Sequence, residues 1–435
     1  MQTEFAQRRQ QLMDKIGKGT AIFRSAPQAV MHNDVEYNFR QDSDFFYLTG
    51  FDEPEAVAVL APHHEEHRFV LFVRPKDPEK ETWSGYRVGV EAAKERFGAD
   101  AVYSIEELDE KLPQYVEKAD RIYYRLGRDR PFNDKILGLW QRLMRGYPRR
   151  GTGPTAIEDP GPTLHSLRQI KSPAELERMR KAADIAVAAH NRAIAYAKPG
   201  VYEYQVQAEI EHTFRLSGAL GPAYPSIVAS GANACILHYT ENTRQIQAQD
   251  LLLIDAGCAY EYYNSDITRT FPVSGKFTDE QRILYDIVLR AQLAAIAQIS
   301  PGNPYSQMHD TAVRVIVEGL MDLGLLQGDI EEIIKEEKYK PFYMHKTGHW
   351  LGLDVHDVGV YAHGDTAHNL EPGHVTTVEP GIYIGPNIKP VEGQPEVPER
   401  WRGIGIRIED DVLVTPTGHE VLTAGVPKLI EDLES

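Results

Sequence analysis

The sequence has 435 residues, more than one hydrophobic core usually organises, so we expect two domains. Hydrophobic residues make up 42% of it and charged residues 26%, a balance that excludes collagenous, low-complexity and disordered proteins. Its formal charge of -17 would repel a phosphate backbone, so we expect no nucleic-acid partner.

Nothing in the sequence indicates a membrane or secreted protein. Apolar runs such as Phe69–Val73 and Leu251–Ile254 fall far short of the ~20 residues that cross a bilayer. The opening residues, MQTEFAQRRQQLMDK, carry charges where a secretory signal has a continuous apolar segment. The two cysteines, Cys235 and Cys258, allow one disulfide, but a reduced cytoplasmic protein with no membrane partner is the expectation.

The first structural pattern in chain order is a β-hairpin over Glu55–Val73, where two β-rich runs flank a polar insert. The insert contains HHEEH at His63–His67, which matches the HxxEH pattern of some zinc proteases. That chemistry needs a helix to bring both histidines to one face. Because Pro62 and the flanking strands oppose a helix, we interpret the insert as a solvated loop.

Helix and strand patterns then alternate. Ser104 and Glu107 form a capping box ahead of an amphipathic helix, 121–126 predicts a strand, and 136–144 predicts another helix. This alternation predicts an N-terminal α/β domain over residues 1–171.

A Gly- and Pro-rich segment at 151–162 is expected to link this domain to a second one over residues 172–435. Ser172 is a hydroxyl N-cap, followed by a proline and by Glu175 at the third helical position, so a helix should begin there. Its pattern continues to about Tyr196.

The second domain contains a weak internal repeat. Long helices are expected to end before Lys-Pro-Gly at 198–200 and again before Ser-Pro-Gly at 300–302, and each is followed by another helix. Further on, LLLIDAG at 251–257 and VTTVEPG at 375–381 are each an apolar strand that ends in a carboxylate, then a small or rigid residue, then glycine. Two related halves would face each other across one cleft.

Asp255, at the end of the first of these strands, would be costly to bury as an anion without a cation or strong donors. Asp266 follows in NSDITRTF, after an intervening segment of hairpin length that could return it beside Asp255 on the same face. Taken singly, either aspartate could equally be a cap or turn residue.

Residues further along the chain add two more carboxylates. Glu379 closes the second strand, and in GIGIRIEDD the period of two places Arg407 and Glu409 on the face opposite the isoleucines. Between them, MHKTGHWLGLDVHDVG contains three histidines, and a fourth lies in CILHYTEN. One imidazole and four carboxylates suit Mn²⁺, Mg²⁺ or Fe²⁺ better than a thiolate zinc site, and four negative charges indicate two dications.

The chain resembles aminopeptidase P, the Xaa-Pro aminopeptidase branch of the metallopeptidases with the pita-bread fold. IDAG, DITRTF, HWLGLDVHDVG, VEPGIYI and GIGIRIEDD follow in the order of that family, and YNFRQDSDFFYLTGF at Tyr37–Phe51 is similar to its N-terminal signature. The resemblance covers nearly the whole length. It implies an α/β N-terminal domain and an α+β pita-bread domain of the creatinase/aminopeptidase type, with pseudo-two-fold halves.

The resemblance also implies the metal ligands. Asp255 and Asp266 would bind one ion, while Asp266, His349, Glu379 and Glu409 would bind the second and Glu409 would bridge both. The two ions, most simply Mn²⁺, would activate a water for attack on the scissile carbonyl. Cobalt, iron and zinc stay open as alternatives.

Further residues receive roles from the same resemblance. Glu379 would accept and pass on a proton, Arg407 would orient a ligand, and His345 would assist proton transfer or substrate binding. His238 and His356 would bind the substrate and the developing oxyanion. The pocket would be lined by Tyr224 and Tyr383.

The implied substrates are peptides with an N-terminal Xaa-Pro, and the implied assembly is a homo-oligomer, dimer or tetramer. A bond before proline lacks an N–H, so a site that asks for no amide donor can favour it. Trp83 is either a surface residue or one that reaches a neighbouring subunit's cleft.

Three other functions stay open. Prolidase shares the fold and ligands but cuts only dipeptides, and the N-terminal signature disfavours it. A metal-free peptide-binding module and a creatinase-like enzyme are both disfavoured because all five ligand positions are present.

Overall fold

The computed structural model describes residues 2–389 and 392–434, and it divides into two compact units between Arg168 and Gln169. The predicted boundary lies three residues later, before Ser172, and stays a prediction. Within the described ranges, no helix is long and apolar enough to cross a membrane.

The first unit contains eight strands: β1 (Thr20–Arg24), β2 (Val30–His32), β3 (Val35–Glu36), β4 (Val57–Leu60), β5 (Phe69–Val73), β6 (Ala101–Ser104), β7 (Ile122–Tyr123) and β8 (Ile157–Glu158). Six of them form a mixed sheet in the order β6-β5-β4-β1-β7-β8, and β2 pairs with β3 in a separate sheet. Its helices are α1 (Gln2–Ile16), α2 (Ser43–Thr49), α3 (Pro78–Ser84), α4 (Gly89–Phe97), α5 (Leu108–Val116), α6 (Arg130–Arg150) and α7 (Gly161–Gln169), with a 3-10 turn at Ile105–Glu107.

The hairpin prediction is confirmed, because β4 and β5 pair antiparallel with Val57 opposite Phe72. The insert between them forms turns, so the HxxEH match has no helix to support a metal site. Both strands are fully buried.

Two details of the first unit differ from prediction. The segment 151–162 is not a linker, since β8 lies within it and pairs in parallel with β7 at the edge of the sheet. The strand predicted over 121–126 is only two residues long, and it pairs with two residues of β1 and two of β8.

The helices of the second unit are α8 (Pro173–Tyr196), α9 (Glu203–Leu216), α10 (Asp279–Ile296), α11 (Ser306–Asp322), α12 (Ile330–Lys335) and α13 (Ile430–Leu433), with 3-10 turns at Gly231–Cys235 and Glu399–Trp401. Its strands are β9 (Gly221–Pro222), β10 (Ile227–Ser230), β11 (Leu251–Asp255), β12 (Cys258–Tyr260), β13 (Tyr263–Asn264), β14 (Thr268–Pro272), β15 (Ala362–His363), β16 (Thr366–Ala367), β17 (Val375–Val378), β18 (Gly381–Ile384), β19 (Ile404–Arg407), β20 (Asp410–Thr415) and β21 (Gly418–Val421). The unit repeats a helix pair followed by a three-stranded antiparallel sheet, first β10-β11-β14 and then β17-β20-β21.

Local signals predicted these elements well. The capping box of Ser172 and Glu175 is present, and α8 ends at Tyr196 as expected. The apolar strands β11 and β17 are buried along their lengths and deliver Asp255 and Glu379 to their ends.

Two glycines allow the backbone to close around the ends of these strands. A Cβ atom on Gly257 would lie 1.7 Å from the carbonyl oxygen of Ser265, and one on Gly348 would lie 2.0 Å from that of Thr377. Since real Cβ contacts are never that short, only glycine permits Asp266 to approach β11 and His349 to approach β17.

Candidate metal centre

The first two carboxylates come from one antiparallel strand pair. Asp255 ends β11 and lies opposite Thr268, so Asp266, two residues before Thr268, points to the same face. The hydroxyl of Tyr224 lies 2.7 Å from Asp255 Oδ1 and 2.5 Å from Asp266 Oδ1. Because one hydroxyl proton can be donated to only one carboxylate at a time, the carboxylates of Asp255 and Asp266 keep oxygen atoms that can bind a cation.

The second half of the unit contributes Glu409, between β19 and β20. Its backbone N–H donates to Thr268 O at 3.0 Å, and its Oε2 accepts from Thr268 Oγ1 at 2.6 Å. Thr268 therefore joins the two halves at the point where their carboxylates meet.

His349 and Glu379 complete the set. The His349 N–H donates to Thr377 Oγ1 at 3.1 Å, and its Nδ1 lies 3.0 Å from Trp350 O. An Nδ1–H donated to that carbonyl leaves Nε2 facing Asp266 Oδ2 at 3.4 Å and Glu379 Oε1 at 3.6 Å. Donor atoms of Asp266, His349 and Glu409 all lie within 4.8 Å of one another.

The electrostatics favour a bound cation. Burial raises the pKa of Asp255, and burial with repulsion from the neighbouring carboxylates raises the pKa of Glu409 well above its usual range. The same causes raise the pKa of Glu379 to about 7. Burial opposes a charged His349, but its hydrogen bond to Asp266 and the charge of Glu379 raise its pKa to about 9. This donor set, four carboxylates and one imidazole, fits hard or borderline divalent ions.

Arg407 is a positively charged side chain that contacts a carboxylate of the centre. It donates from Nη2 to Asp255 Oδ2 at 2.6 Å, from Nε to Thr268 Oγ1 at 3.1 Å, and from Nη1 to Tyr383 OH at 3.0 Å. The Tyr383 hydroxyl also lies 2.8 Å from His345 Nε2. These contacts fix the orientation of Asp255, which would otherwise have one carboxylate oxygen free.

His345 is neutral in this network, because burial and then the charge of Arg407 lower its pKa to about 3. Its Nδ1 lies 2.8 Å from Lys346 O, so Nδ1 carries the proton and Nε2 accepts the hydrogen bond from Tyr383. Its Nδ1 is also 3.6 Å from Glu379 Oε2.

His356 and His238 are both exposed, and His356 lies beside the centre. The ring of His356 meets that of His349 edge-on, with centroids 4.3 Å apart. Burial lowers the pKa of His356, and the charges of His349 and His238 add to this effect. Within the described residues, neither His356 nor His238 makes a side-chain hydrogen bond, so their roles toward substrate stay predictions.

Two contributors were not predicted. Thr268 shares the period-two face of Asp266 in NSDITRTF, a signal that could have identified it. Asp411 Oδ2 accepts from the N–H of Asp266 at 3.1 Å, and only the double aspartate in GIGIRIEDD hints at it.

Two protein-family models match the chain. A model of metallopeptidase family M24 matches residues 177–416, and a model of the aminopeptidase P N-terminal domain matches residues 5–123. The chain is 45% identical over 434 residues to the Xaa-Pro aminopeptidase of Escherichia coli strain K12, covering 99% of this chain and 97% of the relative.

Two solved structures are similar over all of this chain and 97% of their own. Pseudomonas aeruginosa aminopeptidase PepP matches with a TM-score of 0.95 at 48% identity. Zinc-substituted Escherichia coli aminopeptidase P in complex with product matches with a TM-score of 0.94 at 44% identity. The chain therefore belongs to metallopeptidase family M24, and it joins an N-terminal domain of the aminopeptidase P type to a metallopeptidase domain with the pita-bread fold.

Proposed function

We propose that this chain is an Xaa-Pro aminopeptidase that uses two divalent metal ions, most simply Mn²⁺, to release the N-terminal residue from peptides with proline in second position. The observation that carries the proposal is the convergence of Asp266, His349 and Glu409, with donor atoms within 4.8 Å, in a chain that is 45% identical to such an enzyme over its length.

Five residues would hold the two ions: Asp255, Asp266, His349, Glu379 and Glu409. Two bound divalent ions would lower the pKa of a water molecule and polarise the scissile carbonyl.

The chain's own residues then position the substrate and move protons. Glu379 would accept a proton from the attacking water and pass it on. The nitrogen of proline leaves as a secondary amine, so it must gain a proton, which Glu379 would supply. The exposed His356 and His238 donate to the oxyanion and the substrate carbonyl.

The remaining residues hold these groups in place. Arg407 and Tyr224 fix the orientation of Asp255, and Tyr383 connects Arg407 to His345. The acidic centre also suits the positive charge of a free substrate amine, which would restrict cleavage to the first residue.

Three further inferences rest on the resemblance and the sequence. We infer that residues 172–435 form the catalytic domain, that the protein works in the cytoplasm, and that it assembles as a homo-oligomer.

Metal analysis and a pair of substrates test the proposal. After incubation with Mn²⁺ and removal of unbound ion, the full chain should retain two manganese ions and cleave both an Xaa-Pro dipeptide and an Xaa-Pro-Xaa tripeptide. Cleavage of the dipeptide alone would assign the protein as a prolidase. A chain that retains no divalent ion would indicate a binding module or creatinase-like chemistry.

A further inference from the structure

A second group of potential metal ligands lies outside the carboxylate centre. It consists of His363, His368, Glu371 and His374, which we call the histidine cluster. Donor atoms of His368, Glu371 and His374 lie within 4.8 Å of one another. The ring centroid of His368 is 5.4 Å from that of His374 and 6.0 Å from that of His363. The proposed peptidase chemistry uses none of these side chains.

The backbone holds the cluster in a defined position. The N–H of His368 donates to Tyr361 O at 2.9 Å, and its carbonyl accepts from Tyr305 N at 2.8 Å. The carbonyl of His374 accepts from Val414 N at 2.8 Å, which attaches it to β20. His374 is only 1% exposed, so its ring has little freedom to turn away. The backbone of His368 and the buried ring of His374 are therefore held in place before any ion binds.

His374 is neutral, the state that a metal requires. Its Nδ1 accepts from the N–H of Glu371 at 3.1 Å, so the ring proton is on Nε2. Coordination through either ring nitrogen would end this hydrogen bond, which the metal–ligand bonds have to outweigh.

We propose that His368, Glu371 and His374 bind one zinc-class transition-metal ion, separate from the dinuclear centre. Two imidazoles and one carboxylate are the donor set of open zinc sites, and the fourth position is left to water or to His363. Imidazole favours Zn²⁺, Ni²⁺ and Cu²⁺, whereas the carboxylate-rich centre suits Mn²⁺. The two sites of the chain thus differ in the ion that they select.

Zinc stoichiometry of the full-length chain tests this proposal. Protein equilibrated with excess Zn²⁺ is freed of unbound ion, and its zinc content per chain is measured by mass spectrometry. His368→Gln and Glu371→Gln should each retain one zinc fewer than the unmodified chain. His212→Gln, at an exposed position on α9, should retain as many as the unmodified chain.

The result is independent of the dinuclear centre. If that centre were absent, all totals would fall together and the difference of one zinc would persist. Equal zinc in the unmodified chain and in both cluster variants would overturn the proposal, as would an equal loss in His212→Gln.

Trp350 supplies a second readout, because its ring centroid lies 4.8 Å from that of His374. Titration of the Mn²⁺-loaded chain with Cu²⁺ should quench its tryptophan fluorescence, and His368→Gln should reduce this quenching while His212→Gln should not. Equal quenching in the two variants would contradict binding at the cluster.

Discussion

Replacing Thr268 by valine tests whether the contact between the two halves controls the metal centre. Valine matches threonine in shape but lacks the hydroxyl, which donates to Glu409 at 2.6 Å and accepts from Arg407 at 3.1 Å. A hydrogen bond to a charged group contributes about 1.5–3 kcal/mol. Loss of the bond that orients Glu409 should therefore weaken metal binding about 10–100-fold, the usual range for a residue that positions a metal ligand.

The assay is a Mn²⁺ titration followed by both bound metal and hydrolysis of an Xaa-Pro-Xaa tripeptide. Thr268→Ser is the matched control, since it keeps the hydroxyl and should stay close to the unmodified chain. At saturating Mn²⁺ the valine variant should regain part of its activity, which a misfolded protein would not do. If the valine and serine variants bind Mn²⁺ equally, Thr268 does not position Glu409.

His349→Ala should abolish turnover and reduce bound Mn²⁺ while leaving the circular dichroism spectrum unchanged, because the ligand is lost from a site that packing does not hold together. Unchanged activity would contradict the ligand assignment. Gly257→Ala should destabilise the fold by about 1–3 kcal/mol in urea unfolding, since the new Cβ meets Ser265 O at 1.7 Å, and unchanged stability would show that this approach is not needed. His190 is fully buried, burial lowers its pKa to about 4, and its Nε2 lies 2.9 Å from Ala256 O. Because the unfolded histidine binds its proton near pH 6.5, the stability that the neutral ring allows is complete above that pH and is lost as the pH falls toward 4, by up to ~3 kcal/mol. His190→Gln should remove that part of the slope in unfolding experiments, and an unaltered slope would refute the assignment.

Signals local in sequence predicted much of the fold. Ser172 and Glu175 predicted the start of α8 because a cap depends on residues three apart. The prediction of a linker over 151–162 was wrong because the glycines and prolines of this segment are typical of a linker. The pairing of β8 with β7 instead depends on residues far away in the chain.

The same distinction applies to the site. Asp255 and Asp266 could be paired from the hairpin length between them, since Asp255 ends β11 and Asp266 lies two residues before β14, which pairs with β11. The contact of Thr268 with Glu409 joins residues 141 positions apart, and no local pattern specifies it. The family resemblance supplied the ligand set that periodicity alone left open.

The meeting of Thr268 and Glu409 has a consequence for biosynthesis. Asp255 and Asp266 are synthesised well before Glu409, so a nascent chain that ends between them carries only part of the proposed ligand set. Metal binding at the complete proposed site would therefore require that the last strands of the second half have packed. Loading of the centre should therefore be among the latest events in the maturation of this enzyme, and an incomplete chain should remain inert as a peptidase.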